Sequence, residues 1–146
     1  MSRTKEPAKS RHIKYLLYED NESHMKALEK IKADNFPYIG IRHHILDIDG
    51  NEITEDSGKP HFHIYQEYDN PMFPTACAKR YGLFDDSGKV STQFCRTVSG
   101  RFDNALVYLT HLNAPEKELY TESDLFGWSV LLRAYQTAAL SFMIGI

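Results

Sequence analysis

Apolar side chains are concentrated in four short stretches of the chain, and in the last of these they alternate with polar ones with a period of two; this pattern predicts β-strands. The stretches are rich in aromatic and β-branched residues, which favour a pleated, half-buried surface. A strand points successive side chains to opposite faces, so each stretch can place one face against a core. The predicted strands cover residues 12–19, 38–46, 61–68 and 90–98.

Between these strands, apolar residues recur every three or four positions, which is the spacing of an amphipathic helix. Turn residues such as Asn, Asp, Gly and Pro flank each helical stretch. The predicted helices cover residues 23–33, 75–83, 100–111 and 124–142. The order of elements predicts an α+β fold of the split-βαβ kind, with a central antiparallel sheet of about five strands and helices packed on one of its faces.

Composition changes along the chain suggest three segments. Residues 1–11 are polar and basic and predict a flexible tail. Residues 12–123 contain the four predicted strands and form the expected main domain. Residues 124–146 form a C-terminal helical segment with more apolar side chains than one helix stripe can bury, which predicts either self-association into an oligomer or fraying at this end. Its end at Ile146 looks cut off, so we expect a shortened form of a longer protein.

Charge and cysteine content limit the classes of function. The chain has 146 residues and a net charge of −3, so its overall charge does not indicate a polyanion partner. A nucleic acid would have to bind a local basic patch. The two cysteines lack metal-site spacing and no signal peptide precedes them, which predicts a reduced, cytoplasmic protein. Apolar runs are too short to span a bilayer, so we expect no membrane partner. The candidate basic residues are Arg11, Lys14, Lys79, Arg80, Arg96 and Arg101.

Two histidines in the third predicted strand, His61 and His63, are two residues apart and therefore share one strand face. If this strand pairs with the preceding one, His44 lies beside them and Asp47 reaches in from the loop. Three imidazoles and one carboxylate suit a divalent ion, Mn²⁺ or Mg²⁺, and Zn²⁺ can bind the same donors. His43 is predicted to point to the opposite face and to have a structural role.

A tyrosine in the third predicted helix is a candidate nucleophile. Tyr108 lies off the apolar stripe of that helix, and His111 follows it by three residues on the same side. A phenol oxygen near a metal-polarised phosphate can attack it in line. His111 and Glu116 are candidates for proton transfer, and Tyr120 is the alternative nucleophile.

Three ordered motifs resemble the rolling-circle replication initiator (Rep) proteins of small bacterial plasmids, in the HUH endonuclease superfamily. The motifs are the strand HIKYLLYE, a His-hydrophobic-His strand preceded by His-x-x-Asp, and the sequence VYLTHLNAPEK. The resemblance implies that His44, Asp47, His61 and His63 are metal ligands and that Tyr108 is the catalytic tyrosine. It also implies an antiparallel sheet and nicking of the plasmid double-strand origin, in single-stranded or hairpin-extruded form, through a 5′-phosphotyrosyl intermediate. Host replication proteins are further expected partners.

Three other interpretations stay open from the sequence. The main alternative is an RRM-like module that binds single-stranded nucleic acid without catalysis, by stacking bases on aromatic side chains. A metal-dependent oxygenase or hydrolase with two histidines and one carboxylate is the second. An interaction protein in which the histidines are structural is the third. The candidate stacking residues of the first alternative are Tyr15, Tyr18, Phe62 and Tyr65.

Overall fold

A computed structural model describes residues 8–44, 49, 59–114 and 116–145 of the chain. The described strands are β1 (Ser10–Tyr18), β2 (Tyr38–His43), β3 (His61–Met72), β4 (Cys95–Thr97) and β5 (Phe126–Gly127). The described helices are α1 (Glu22–Ala33), α2 (Pro74–Tyr81), α3 (Phe102–Tyr108) and α4 (Ser129–Ile144), with a short 3₁₀ helix at Glu122–Asp124. The predicted α+β class and the central antiparallel sheet are therefore confirmed.

The five strands form one antiparallel sheet in the order β4-β1-β3-β2-β5. β3 lies at its centre and pairs with β1 on one side and β2 on the other. The register between β1 and β3 shifts between the pairs Ser10–Met72 and His12–Glu67. This irregularity lets β3 continue through Pro71, because a bulge tolerates a residue without a backbone N–H. The predicted end of this strand at residue 68 is therefore too early.

Helices cover both faces of the sheet, whereas the sequence predicted helices on one face. The α1–α2 face is the sheet face that carries Ile13, Tyr15, Leu17 and Ile64, and α1 and α2 pack on it. The opposite face is called the histidine face here. It carries Ile39, Ile41 and Tyr65 under α3 and α4, with the histidines of β2 and β3 at one end.

A buried polar chain crosses the α1–α2 face. The Tyr15 hydroxyl donates to the Gln66 side-chain oxygen at 2.7 Å, and the Gln66 amide donates to the Tyr81 hydroxyl at 2.7 Å. Tyr81 in turn donates to Asp34 at 2.8 Å, and Arg80 holds the same carboxylate at 2.7 Å. Because every step is hydrogen-bonded, the cost of burying these groups is offset and the chain ties α1 and α2 to the sheet.

Two predicted elements near the C-terminal half need correction. The predicted strand 90–98 shrinks to β4 and an isolated bridge between Phe84 and Val90. The predicted helix 124–142 begins only at Ser129, because Phe126 and Gly127 pair with β2 as an edge strand. Gly127 has a φ of 141°, and any side chain there would clash with the Tyr38 carbonyl. The close pairing of β5 with β2 therefore requires glycine at this position.

The C-terminal helix α4 packs against α3 through Leu131 and Tyr135. Its other side is exposed to solvent, including Leu140 (60%) and Met143 (70%). The predicted boundary between residues 123 and 124 stays a prediction. Self-association through residues 124–146 stays one as well. Among the helices that the structure describes, none has the length and apolar character needed to cross a membrane.

Candidate metal centre and active-site cleft

Three histidines meet at one end of the histidine face. In the pairing of β2 with β3, His43 lies directly opposite His61, and Ile41 lies opposite His63. Residues directly opposite in an antiparallel pair share a face, so the register brings the three imidazoles together. One ring nitrogen from each of His43, His61 and His63 lies within 4.8 Å of the others. That spacing suits a single metal ion bound between them.

Backbone carbonyls set the proton positions on two of these rings. His43 Nε2 lies 2.6 Å from the Leu109 carbonyl oxygen, and His61 Nδ1 lies 2.9 Å from the Lys59 carbonyl oxygen. A carbonyl only accepts, so each of these nitrogens carries the proton. The other nitrogen of each ring is left with its lone pair, and an N–H bound to a carbonyl is the usual support of a metal-ligating histidine.

The same environment keeps the cluster uncharged. Burial lowers the pKa of His43 to about 4, with further lowering from the charges of neighbouring groups. Burial likewise lowers the pKa of His61, and lowers that of His63 well below its ordinary value. Neutral imidazole is the form that binds metal, so at neutral pH the cluster needs to release no protons to accept an ion.

The prediction that His43 points to the opposite face is wrong, because the register places its side chain on the same sheet face as His61 and His63. His44 follows β2 and lies at the edge of the same cleft. Its Nδ1 is buried without a hydrogen-bond partner among the described residues, so it is compatible with a further ligand role. Asp47 lies outside the described residues. Ligation by His44 and Asp47 therefore stays a prediction.

The candidate nucleophile lies at the end of α3, over the histidines. Tyr108 is the last residue of α3, and the next residue, Leu109, accepts the His43 hydrogen bond. The Tyr108 ring centroid is 6.4 Å from that of His63 and 5.2 Å from that of His111. The histidine cluster and the phenol thus open into one cleft of about 440 Å³. It is lined by His43, His44, His61, His63, Tyr108, His111, Glu116, Lys117, Glu118 and Tyr120.

The loop after α3 is held by His111. This residue has a φ of 60°, in the left-handed region, which is uncommon for residues other than glycine, although histidine is found there more often than most. Its Nδ1–H donates to the Glu118 carbonyl at 2.6 Å, and its ring lies 4.4 Å from that of His43. Such strain persists only where surrounding contacts fix the backbone, and it is concentrated at functional sites. His111 therefore connects the cluster, the tyrosine and the loop, and Glu116 lies at the cleft wall.

Tyr120 has a structural place in the cleft. Its hydroxyl accepts from the His44 backbone N–H and donates to the His44 carbonyl, both at 2.8 Å. Its ring stacks on His43 with centroids 4.7 Å apart, and burial raises the pKa of its hydroxyl. Tyr120 therefore fixes the end of β2, and its hydroxyl is engaged there both as donor and as acceptor.

The candidate basic residues divide between the two faces. Lys14 and Arg96 lie directly opposite each other on β1 and β4, on the histidine face. Lys79 and Arg80 lie on α2, on the other side of the sheet, where Arg80 pairs with Asp34. The remaining two contact other protein groups: Arg11 donates a hydrogen bond to the Tyr68 carbonyl, and Arg101 forms an ion pair with Asp103.

The aromatic platform of the RRM-like alternative is not formed. Tyr15 and Tyr65 are 1% and 5% exposed, and they belong to the cores on opposite faces of the sheet. Phe62 shares the face of Tyr15, whereas Tyr18 shares that of Tyr65. These four residues therefore cannot present one stacking surface to bases.

The fold and the cleft define a class of protein: an α+β domain whose antiparallel sheet carries a histidine cluster beside a tyrosine. The family of plasmid replication proteins, origin binding domain, matches residues 5–129. Because this match covers most of the chain, the protein belongs to that family, and the predicted resemblance to plasmid replication initiators is confirmed. Origin DNA of a plasmid is accordingly its partner. No curated protein matches the chain.

Three site residues were missed or misassigned from the sequence. His43 follows Ile39 and Ile41 at intervals of two residues in β2, so the sequence itself indicates that all three side chains lie on the same face. Lys117 lies in the Pro-Glu-Lys sequence that carried the resemblance, but it was given no role. The position of Tyr120 against His43 and His44 depends on contacts across 76 residues, for which no sequence pattern exists.

Proposed function

We propose that this origin-binding domain nicks and rejoins one DNA strand at the plasmid double-strand origin, in rolling-circle replication, with Tyr108 as the nucleophile. The observation that carries the proposal is that one cleft contains both the phenol of Tyr108 and the cluster of His43, His61 and His63. A binding domain alone needs neither a neutral three-histidine cluster nor a tyrosine beside it.

In the proposed reaction, the Tyr108 oxygen attacks the phosphorus of the scissile phosphodiester. The bond between that oxygen and phosphorus forms as the bond to the 3′-oxygen breaks. The products are a 5′-phosphotyrosyl link and a leaving 3′-oxygen, which takes up a proton and becomes a free 3′-hydroxyl. An aryl phosphodiester conserves the energy of the broken bond, so the 3′-hydroxyl can reverse the step and rejoin the strand.

Of the candidate ions, Zn²⁺ is the one that three imidazole nitrogens suit best, whereas Mn²⁺ and Mg²⁺ prefer oxygen ligands such as the Asp47 carboxylate. His43, His61 and His63 would hold the ion, with His44 and Asp47 as further ligands. When bound, such an ion supplies polarisation of the phosphate and withdrawal of its negative charge. The cofactor is proposed to be Mn²⁺ or Mg²⁺, with Zn²⁺ also able to bind the site.

The path of the DNA is proposed to follow the exposed part of the histidine face. Like charges directly opposite on neighbouring strands are unfavourable unless an anion lies between them, and Lys14 and Arg96 are such a pair. Two residues along β1 from Lys14, Leu16 lies opposite His63. Phosphates bound by Lys14 and Arg96 would therefore lead the strand into the cleft.

The test is a covalent-adduct assay with labelled, origin-derived single strands and Mn²⁺. Tyr108→Phe removes one oxygen, so it should keep the fold and the DNA affinity but abolish nicking and the denaturation-resistant adduct. Tyr38→Phe removes the same oxygen from a tyrosine on the α1–α2 face and should retain both activities. An adduct that persists in Tyr108→Phe and disappears in Tyr120→Phe would reassign the nucleophile.

A further inference from the structure

The phenol of Tyr108 is hydrogen-bonded by a lysine. Lys117 Nζ donates to the Tyr108 hydroxyl oxygen at 2.8 Å, and its ammonium lies 5.4 Å from the centre of the same ring. The two residues are nine positions apart, on either side of the turn that follows α3. The Lys117 ammonium is therefore hydrogen-bonded to the oxygen atom that would attack the phosphate.

The backbone on both sides of Lys117 is hydrogen-bonded to the turn that follows α3. The Lys117 N–H donates to the Ala114 carbonyl at 2.9 Å, and the following carbonyl, that of Glu118, accepts from His111 at 2.6 Å. Tyr120 N–H then donates to the Thr110 carbonyl at 3.1 Å. These bonds hold the Lys117 backbone in position. The exposed side chain therefore extends toward Tyr108 from a fixed Cα.

The charge of Lys117 is directed at the cleft. Within the described parts of the chain, no carboxylate lies at ion-pair distance from its ammonium. The hydrogen bond to Tyr108 raises the pKa of Lys117, so the group is an ammonium at neutral pH. The same charge contributes to the lowered pKa values of His43, His61 and His63.

We propose that Lys117 is a catalytic residue of the nicking reaction, and this inference rests on the proposed function. Its ammonium stabilises the negative charge of the Tyr108 phenolate before the attack and again when the phenolate leaves on rejoining. Lys117 is already protonated, so the phenolic proton passes to water or hydroxide and not to the lysine. A free phenol ionises near pH 10, so a fixed cation on its oxygen is the help that the nucleophile needs at neutral pH.

The first test compares single-turnover nicking by Lys117→Met, Lys117→Arg and the parent chain between pH 6 and 10. Lys117→Met should lower the rate at pH 7 by roughly 10²-fold, the usual scale for one charged catalytic group. The deficit should shrink as pH rises, because hydroxide then forms the phenolate unaided. Lys117→Arg keeps a cation and should recover most of the rate. Lys26→Met, which removes an exposed lysine from α1, is the matched control and should leave the profile unchanged.

A second test needs neither DNA nor metal. O-acetylation of Tyr108 by N-acetylimidazole, followed by peptide mass spectrometry, reports how readily its phenolate forms. Lys117→Met should slow acetylation of Tyr108 several-fold and leave Tyr38 in the same sample unaffected. Unchanged acetylation of Tyr108 would overturn the inference.

Two nicking outcomes would also overturn it: a parental rate in Lys117→Met at every pH, or a uniform loss that follows weaker DNA binding. Loss through DNA binding would mean that Lys117 only anchors phosphate. Failure of the proposed function is separately visible, because Tyr108→Phe would then still nick DNA whatever the behaviour of Lys117.

Discussion

The two faces of the sheet use the same strands for different purposes. On the α1–α2 face, the core residues Ile13, Leu17 and Ile64 are fully buried and the polar groups among them are paired. On the histidine face, the apolar core stops short of the strand ends, and three imidazoles take its place beside an open cleft. One face is arranged for stability, and the end of the other leaves donor atoms available to ligands.

The contrast is sharpest along β3, because alternate residues of one strand serve the two faces. Ile64 is fully buried against α1 and α2, whereas its neighbour His63 opens to the cleft with lone-pair nitrogen. A shift of register by one residue would exchange them, so burial of Ile64 fixes where the ligands point. Stability on one side thereby positions chemistry on the other.

Substitutions of His63 and Ile64 should affect metal binding and stability separately, and these are the largest effects we expect. His63→Ala removes one of the three imidazoles, so Mn²⁺ binding should be lost and nicking should fall roughly 10³-fold or more. Its free energy of unfolding should change by less than about 1 kcal/mol, since the site adds little to the core. Calorimetric titration with Mn²⁺ and the nicking assay measure the first effect, and urea denaturation the second.

Ile64→Ala is the matched variant with the opposite expectation. Removal of a fully buried isoleucine side chain should cost about 2–5 kcal/mol of unfolding free energy. Below the unfolding transition the remaining folded protein should still bind Mn²⁺. Equal destabilisation by both variants, or retained Mn²⁺ affinity in His63→Ala, would contradict the division between the faces.

A smaller effect is expected from the polar chain of the α1–α2 face. Arg80, Tyr81 and the Asn35 backbone together lower the pKa of Asp34 to about 2, with the Arg80 hydrogen bond as the main cause. A carboxyl with a lowered pKa stabilises the fold above its unfolded pKa near 4 and loses that contribution as pH falls toward 2. Asp34→Asn should therefore cost about 1 kcal/mol at pH 7, after allowance for the exposed Arg80 partner. This difference from the parent should shrink between pH 4 and 2 in urea denaturation.

Asp103→Asn serves as the control for that measurement. The pair of Asp103 with Arg101 is exposed on both sides, so its loss should change stability by less than about 0.5 kcal/mol. If Asp34→Asn lowers the free energy of unfolding by the same amount down to pH 2, the charge of Asp34 does not stabilise the contact between α1 and α2, and only its hydrogen bonds and packing do.

The elements that the sequence predicted well are those with a local cause. Asn21 caps α1 by accepting from the His24 N–H, and Gly82 ends α2 with a φ of 77°. Periodicity and these end signals are enough to find such helices. The predicted strand at residues 90–98 is too long, because Val90 pairs with Phe84 and only Cys95–Thr97 of this stretch pair with β1. The predicted start of α4 is too early, because Phe126 and Gly127 pair with the distant strand β2.

The candidate site shows the same limit. The spacing of His61 and His63 gives their common face directly, and the offset of Tyr108 from the apolar stripe singled it out. The choice between His43 and His44 depends on the register of β2 against β3, across a connection that no periodicity constrains. The role proposed for Lys117 depends on a hydrogen bond to Tyr108 across a turn of nine residues, which no sequence pattern predicts.

The smallest expected effect concerns which face binds DNA. Each lysine or arginine that contacts a phosphate adds about 0.7 to the slope of log affinity against log salt for single strands. Lys14→Met with Arg96→Met should therefore reduce that slope by about 1.4 in titrations of origin-derived single strands between about 50 and 200 mM salt. Lys79→Met removes an exposed lysine from α2 on the other side of the sheet and should leave the slope unchanged. The reverse result, a slope lowered by Lys79→Met alone, would move the DNA to the α1–α2 side. It would also separate the DNA from the cleft that contains Tyr108, because both sides of the sheet cannot face one strand entering that cleft.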